Sequence, residues 1–271
     1  MKILILGDLH FGVSRTSTTH SNQVRQANTQ AKSTLEALLP TFKEAAFDLV
    51  VHMGDCLRDT YIEEEDATHI SEALSLIAKI EAPTIHLLGN HELRAFSREK
   101  IEEIYKKNGI VPQFGGQVVS HDLTIQWLDL ELDENDRALL PQVQKDRIAQ
   151  QKTRPDLVFS HFPLVSPDES GTFYFENDPG GMCYKDGEEI LSAFGEKRAP
   201  LYVSAHVHFV SHLTKDGSHY ITNPAFSENI AAQDYPENNP GIYSVLEVDK
   251  KHFIFTSYSG PYCFSKIQGT F

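Results

Sequence analysis

Seven side chains able to offer oxygen or nitrogen to a metal ion, Asp8, His10, Asp55, Asn90, His161, His206 and His208, stand where apolar runs of the chain give way to polar residues. The runs are Ile3 to Leu6, Leu49 to Met53, Thr84 to Leu88, Leu157 to Ser160 and Leu201 to Ala205. Extended residues two apart point the same way, so Asp8 and His10 present two donors together. None of the seven is a thiolate. Seven donors exceed the needs of one ion and suit two that share a bridging carboxylate. Imidazole mixed with carboxylate matches divalent or mixed-valence Mn, Fe or Zn, whereas Ca and Mg favour more oxygen. A lone motif of this kind is usually structural; five repeats of one design make coincidence a poor explanation.

In an open α/β sheet, ligands gather beyond the carboxyl ends of the strands, so five strand ends would set these donors along one rim. The first half of the chain alternates strand and helix, as parallel βαβ units do. Strands are expected over 2–6, 49–52 and 84–88, and helices over 22–39, 64–80 and 97–107, with Asn90 and His91 in a loop. Pro40 should break the first helix ahead of a short piece at 42–46. Beyond these, 118–119 and 123–128 read as a hairpin, 134–151 as a helix despite Pro141, 156–160 and 201–205 as strands, and 187–194 as a helix. After His208 only strands are expected, at 209–214, 219–222, 242–248 and 252–258. The architecture that accounts for this is α/β: a helix-covered parallel sheet joined to a second, largely antiparallel sheet, together a two-sheet sandwich in one domain over 1–271. Two long aromatic loops, 162–186 and 223–241, directly follow donor segments. Either they wall a pocket, or their aromatics pin them to the surface.

At 271 residues the chain can bury a full core, and its composition is that of a globular protein. The formal charge of −14 opposes broad attraction to extended nucleic acid or anionic lipid. No stretch is apolar and long enough to span a bilayer, and the run Ile3 to Leu6 is too short for a signal peptide, so a cytoplasmic chain is expected. Cys56, Cys183 and Cys263 are odd in number and widely spaced, which suits reduced thiols; Cys56 reads as a small buried residue.

Gly7-Asp8-Leu9-His10, Gly54-Asp55, Gly89-Asn90-His91-Glu92, Ser160-His161 and Ala205-His206-Val207-His208 together resemble the five ordered motifs of the calcineurin-like metallophosphoesterases. The resemblance spans Gly7 to His208. Two departures are visible: Ala205 stands where glycine is common, and Asp59 supplies the acidic residue after Asp55 less directly. The resemblance implies a four-layer αββα fold and two metal ions. One would be held by Asp8, His10, Asp55 and His208, the other by Asp55, Asn90, His161 and His206, with Asp55 bridging. It further implies in-line attack of a hydroxide shared by the ions on a phosphoryl group, with His91 beside the pair as general acid. Two ions less Asp8, Asp55 and the hydroxide leave the site positive, so a small anionic phosphate is drawn in despite the acidic chain. Arg58 and Arg94 either clamp a phosphate oxygen or are solvated loop residues. His52 and His86 either orient donors or are core residues. Phosphodiesters or small phosphate esters are the expected substrates. One alternative is a nuclease, since Gly7 to Gly12 is similar to the opening motif of DNA-repair exonucleases of the superfamily; the other is a non-catalytic scaffold, like the superfamily's retromer subunit.

Overall fold

The apolar runs ahead of the donor residues form strands. The computed structural model describes residues 1–12, 21–167, 179–227 and 241–271, and only the backbone of 21–29 and 179. In chain order come β1 (Lys2–Leu6), α1 (Ser21–Ala45), β2 (Leu49–His52), α2 (Glu63–Ala78), β3 (Thr84–His86), α3 (Asn90–Ala95) and α4 (Arg98–Lys107). They are followed by β4 (Gly116–Ser120), β5 (Leu123–Trp127), β6 (Glu131–Leu132), β7 (Ala138–Leu139), α5 (Gln142–Gln150) and β8 (Leu157–Ser160). The chain closes with α6 (Gly187–Phe194), β9 (Leu201–Ser204), β10 (Ser211–Lys215), β11 (Ser218–Thr222), β12 (Ile242–Val248), β13 (His252–Ser259) and β14 (Tyr262–Thr270).

Two six-stranded sheets carry the fold, in the orders β14-β13-β12-β1-β2-β3 and β10-β11-β9-β8-β5-β4. Period-two alternation divides each strand between two cores. Ile3, Ile5 and Val51 meet Ile125, Phe159 and Val203 in the apolar layer between the sheets. Leu4, Leu6 and Val50 face outward and are covered by Leu35 of α1, Ile70 of α2 and Ile101 of α4. On the far side, Val158 and Tyr202 lie under Ile148 of α5 and Ile190 and Phe194 of α6. The result is helices, sheet, sheet, helices. Strand registers align the ends that matter: Leu6 is opposite His52 and His52 opposite His86 in one sheet, Ser160 opposite Ser204 in the other.

Several expectations need correction. The second sheet is not largely antiparallel: β5, β8, β9 and β11 run parallel, and only its edges β4 and β10 are antiparallel. The antiparallel strands β12 and β13 extend the first sheet instead, pairing through β12 with β1, and β14, a strand not expected from sequence, adds to its edge. Periodicity identifies strands but not the sheet they join. Pro40 does not break α1, which runs on through it. Buried Leu35 and Phe42 anchor the helix on both sides, and at about 1.5–3 kcal/mol each that burial offsets the ~3 kcal/mol cost of an internal proline. Residues 134–151 are not one helix. Pro141 caps α5, and the segment before it is the hairpin of β6 and β7. Its turn residues, Asn135 and Asp136, favour turns over helix interiors. Asn90 and His91 begin a short helix, α3, rather than lying in a loop.

Candidate metal centre

Tight turns leave β1, β2, β8 and β9 at a common edge and are stitched to one another by backbone hydrogen bonds. Asp8 N–H donates to Gly54 O at 3.1 Å, His10 N–H to Asp55 O at 3.0 Å, and Ala205 N–H to His161 O at 2.8 Å. Five of the seven candidate donors occupy the left-handed region: Asp8 (φ 54°), His10 (47°), Asp55 (54°), His206 (66°) and His208 (63°). Non-glycine residues there cost roughly 1–3 kcal/mol each and persist where their surroundings over-determine them. Gly54 (φ 99°) meets Gly89 backbone to backbone, and a Cβ on Gly54 would fall 2.5 Å from the Gly89 nitrogen. This contact brings the turns after β2 and β3 together.

Glu92 fixes the same junction. Its buried carboxylate accepts the backbone N–H groups of Asp55 (3.1 Å), Cys56 (2.5 Å) and Gly89 (3.0 Å). Burial, then the Asp55 charge, pushes the Glu92 carboxyl upward. Glu92 therefore ties the start of α3 to the Asp55 turn, and His91 N–H donates back to Asp55 Oδ1 at 2.9 Å.

All seven donors converge. His10 Nε2 lies 3.1 Å from His208 Nε2, which is 3.4 Å from Asp8 Oδ1. His161 Nε2 lies 3.1 Å from Asn90 Oδ1 and 3.4 Å from Asp55 Oδ2, and Asp55 Oδ2 is 3.8 Å from His10 Nε2. The donor atoms of Asp8, His10 and His208 fall within 4.8 Å of one another, as do those of Asp55, His161 and His206. Three imidazoles rest one nitrogen on a main-chain carbonyl: His10 Nδ1 on Leu57 (3.3 Å), His161 Nδ1 on Met53 (2.7 Å) and His206 Nε2 on Gly181 (3.0 Å). That is how metal-binding histidines are held, with the second nitrogen aimed at the ion. Phe162 stacks on the His206 ring at 3.7 Å.

The electrostatics call for cations. Both Asp8 oxygens and Asp55 Oδ2 are buried without a hydrogen-bond donor, which is costly for carboxylates. Burial alone would raise the Asp55 carboxyl, yet His161 and His91 hold it well below the usual range. Burial alone would lower His161, yet Asp55 raises it to about 9. His10 and His206 are pushed well down by burial, then by neighbouring histidines, and so stay neutral, the form that ligates metal. Two buried carboxylates, an amide oxygen and neutral imidazoles fit a pair of divalent ions.

His91, 9% exposed, stands beside this cluster, with Nε2 4.0 Å from Asp55 Oδ2 and Nδ1 hydrogen-bonded to Asp59 Oδ1. Burial opposes ionisation of Asp59, but the bond to His91 outweighs it and lowers Asp59 to about 2. Above the cluster lies a cavity of about 430 Å³, with Arg58 and Arg94 on its walls. Phe162 and Gly181, from the first long loop, also line it. Phe173, Tyr174, Phe175 and Tyr235 lie outside the described residues, while Tyr184 and Phe226 are buried. His52 is fully buried, 3.5 Å from the equally buried Cys56 thiol, and His86 packs against Tyr105. The sequence reading gave Glu92 no role and missed Asn135, Asp136 and Arg137, which also line the cavity. Glu92 carries a signal, a carboxylate three residues after the N-cap Gly89; the hairpin was legible only in its turn residues.

No curated protein sequence matches the chain. Its fold is similar to a dimetal phosphatase from Danio rerio (TM-score 0.67, 13% identity, covering 99% of this chain and 98% of that one). It is also similar to purple acid phosphatase PPD1 from yellow lupin, Lupinus luteus (0.60, 13%, 98% of this chain and 53% of that one), and to GAP50, the anchor in the inner membrane complex of Plasmodium (0.59, 11%, 100% and 88%). The sequence profile of the calcineurin-like phosphoesterases matches residues 1–210. With that match over most of its length, the chain belongs to the calcineurin-like phosphoesterase family, hydrolases of phosphoester bonds.

Proposed function

We propose that the protein hydrolyses phosphodiesters or small phosphate esters at a two-metal centre held by Asp8, His10, Asp55, Asn90, His161, His206 and His208, with Asp55 shared. The observation that carries this reading is the convergence of all seven donors around two buried carboxylates, of which both Asp8 oxygens and Asp55 Oδ2 lack a hydrogen-bond donor. Two divalent ions bound there, Mn, Fe or Zn by donor type, supply Lewis acidity and activate water for in-line attack on phosphorus.

The chain's own groups do the rest. His91 gives the departing oxygen its proton from Nε2, while Nδ1–H donates to the Asp59 carboxylate, which holds the ring and supports the doubly protonated form that a proton donor needs. Glu92 and the Gly54–Gly89 contact hold the Asp55 carboxylate in place. Arg58 and Arg94 offer guanidinium donors to phosphate oxygens from the cavity wall. A walled cavity of about 430 Å³ suits a small ester better than a polymer. The cytoplasmic location inferred from sequence belongs with this reading. Parallel assays of the Mn-loaded chain with bis-p-nitrophenyl and p-nitrophenyl phosphate test it: turnover of either supports hydrolysis and their ratio ranks diester against monoester. No turnover of any ester with both metals bound would refute it.

A further inference from the structure

Tyr61 departs from the rest of the chain in two ways. It is the most exposed aromatic side chain among the described residues, at 77%. It is also the one Phe, Tyr or Trp among them with left-handed backbone, at φ 63°. A bulky residue in that region is an outlier, and it persists only where its surroundings over-determine it. Here they do. Thr60 N–H and Oγ1–H both donate to the buried Asp66 Oδ1, at 2.9 and 2.8 Å, and Ile62 N–H donates to Thr60 Oγ1 at 3.3 Å. Asp66 N–H in turn donates to Ile62 O at 3.0 Å. Both neighbours of Tyr61 are thus fastened to the first turn of α2. The exposed ring covers no core, so packing does not repay this strain.

The ring is held at its tip as well. The Tyr61 hydroxyl is hydrogen-bonded to the Asp59 carboxylate, whose charge pushes the phenol up, while Arg94 and Arg58 oppose it. Asp59 also accepts from His91 Nδ1, and His91 Nε2 lies 4.0 Å from Asp55 Oδ2. Asp55, His91, Asp59 and Tyr61 therefore lead, in that order, from the donor cluster out to solvent. An oxygen that takes its proton from His91 departs on this side, and the group it carries departs with it. Arg58 and Arg94 line the cavity and Tyr61 does not, so Tyr61 meets the substituent of an ester rather than its phosphoryl group. A tyrosine fixed at backbone and hydroxyl presents its face at little entropic cost, and such a face stacks on a planar ring.

We propose that Tyr61 stacks on a planar ring carried by the leaving group, so that the protein prefers phosphate esters of nucleosides, or of other alcohols bearing an aromatic ring, to esters of alcohols without one. The proposal rests on the phosphoesterase reading above and narrows its substrate class.

The test uses the Mn-loaded full chain and pairs of esters whose departing alcohols differ little except for the ring. Release of the alcohol is compared between adenosine 5′-monophosphate and ribose 5-phosphate, and between 2-phenylethyl and ethyl phosphate, each as the monoester and as its methyl diester. The proteins are the wild type, Tyr61→Phe, Tyr61→Ser and Tyr61→Gly, the last chosen because glycine adopts φ 63° without strain and so guards against loss of the fold. The expected wild-type preference in kcat/KM is about 5–100-fold for the ring-bearing member of at least one pair, the scale of one stacked ring. A preference in the adenosine pair alone supports the inference and assigns the ring to a nucleobase; one in the phenyl pair supports it for aryl groups generally. Tyr61→Phe should keep most of that preference, and Tyr61→Ser and Tyr61→Gly should reduce it to about twofold or less, chiefly through KM. Turnover without preference in any pair would overturn the inference and leave the phosphoesterase reading intact. So would a uniform fall in kcat in Tyr61→Ser and Tyr61→Gly with the preference unchanged, which would give Tyr61 to Asp59 alone. If nothing is turned over, that reading fails, and calorimetry still decides: adenosine 5′-monophosphate bound no more tightly than ribose 5-phosphate, or equally well by Tyr61→Gly, overturns the role of Tyr61.

Discussion

Gly89→Ala isolates the positioning of the shared carboxylate. Gly89 has φ −107° and ψ 179°, extended backbone that alanine adopts freely, so any effect must come from the added methyl group. That methyl would lie 2.5 Å from the Asp55 nitrogen and 2.6 Å from Asp55 Cγ, and closer still to Oδ1. Ordinary contact begins at 3.4 Å, so Asp55 Cγ must shift by about 0.8 Å. The Asp55 backbone cannot follow easily: Glu92 holds its N–H and His10 N–H holds its carbonyl. The carboxylate must therefore swing away from His91 N–H and from the imidazoles of His10 and His161. A misplacement near 1 Å costs on the order of 10²-fold in rate, and overpacking costs about 1–3 kcal/mol of stability. Steady-state kinetics with Mn²⁺, calorimetric metal titration and thermal unfolding read out all three effects. A Gly89→Ala protein that binds two Mn²⁺ and keeps wild-type kcat/KM would show that this packing does not position Asp55.

His91→Ala should slow turnover of an ester with a poor leaving group by about 10²–10⁴-fold while both metals stay bound; equal turnover would remove His91 as the acid. Asp59→Asn should lower kcat by about 10–10²-fold and leave metal content unchanged, since Asp59 touches His91 rather than the donor cluster. Because Asp59 sits at about 2 in the folded chain against 3.8 ordinarily, it stabilises the fold above pH 3.8, and this contribution disappears as pH falls through 2. The unfolding temperature of Asp59→Asn should accordingly depend less on pH between 4 and 2, and identical pH slopes would contradict the pairing. Glu92→Ala strands three buried N–H groups and should cost about 3–5 kcal/mol in denaturant unfolding. Pro40→Ala restores a missing helical donor within α1 and should stabilise the chain by about 1–3 kcal/mol; no gain would mean that the helix has adapted to the proline.

How far the sequence could be read depended on whether the signal was local. Strand ends at Leu6, His52, Ser160 and Ser204 were legible because an apolar run stops abruptly before a donor, and these ends line up in the sheets. The choice of sheet for β12 and β13 was not legible, because pairing across more than 200 residues leaves no trace in local periodicity, and the strand β14 was not anticipated at all. Pro40 misled because propensity is a weak prior against the burial of Leu35 and Phe42. The hairpin carrying Arg137 was lost inside an expected helix, and with it three of the residues that line the cavity, Asn135, Asp136 and Arg137. Glu92 was visible as a letter in a motif, but its three backbone acceptances depend on the second and third turns meeting, which only the folded chain reveals.

The central claim is that two ions share Asp55. Anomalous diffraction from Mn-soaked crystals tests it most directly. Two peaks per chain, both beside the Asp55 carboxylate, one flanked by Asp8, His10 and His208 and the other by Asn90, His161 and His206, are predicted. A single peak, or peaks remote from Asp55, would contradict the account.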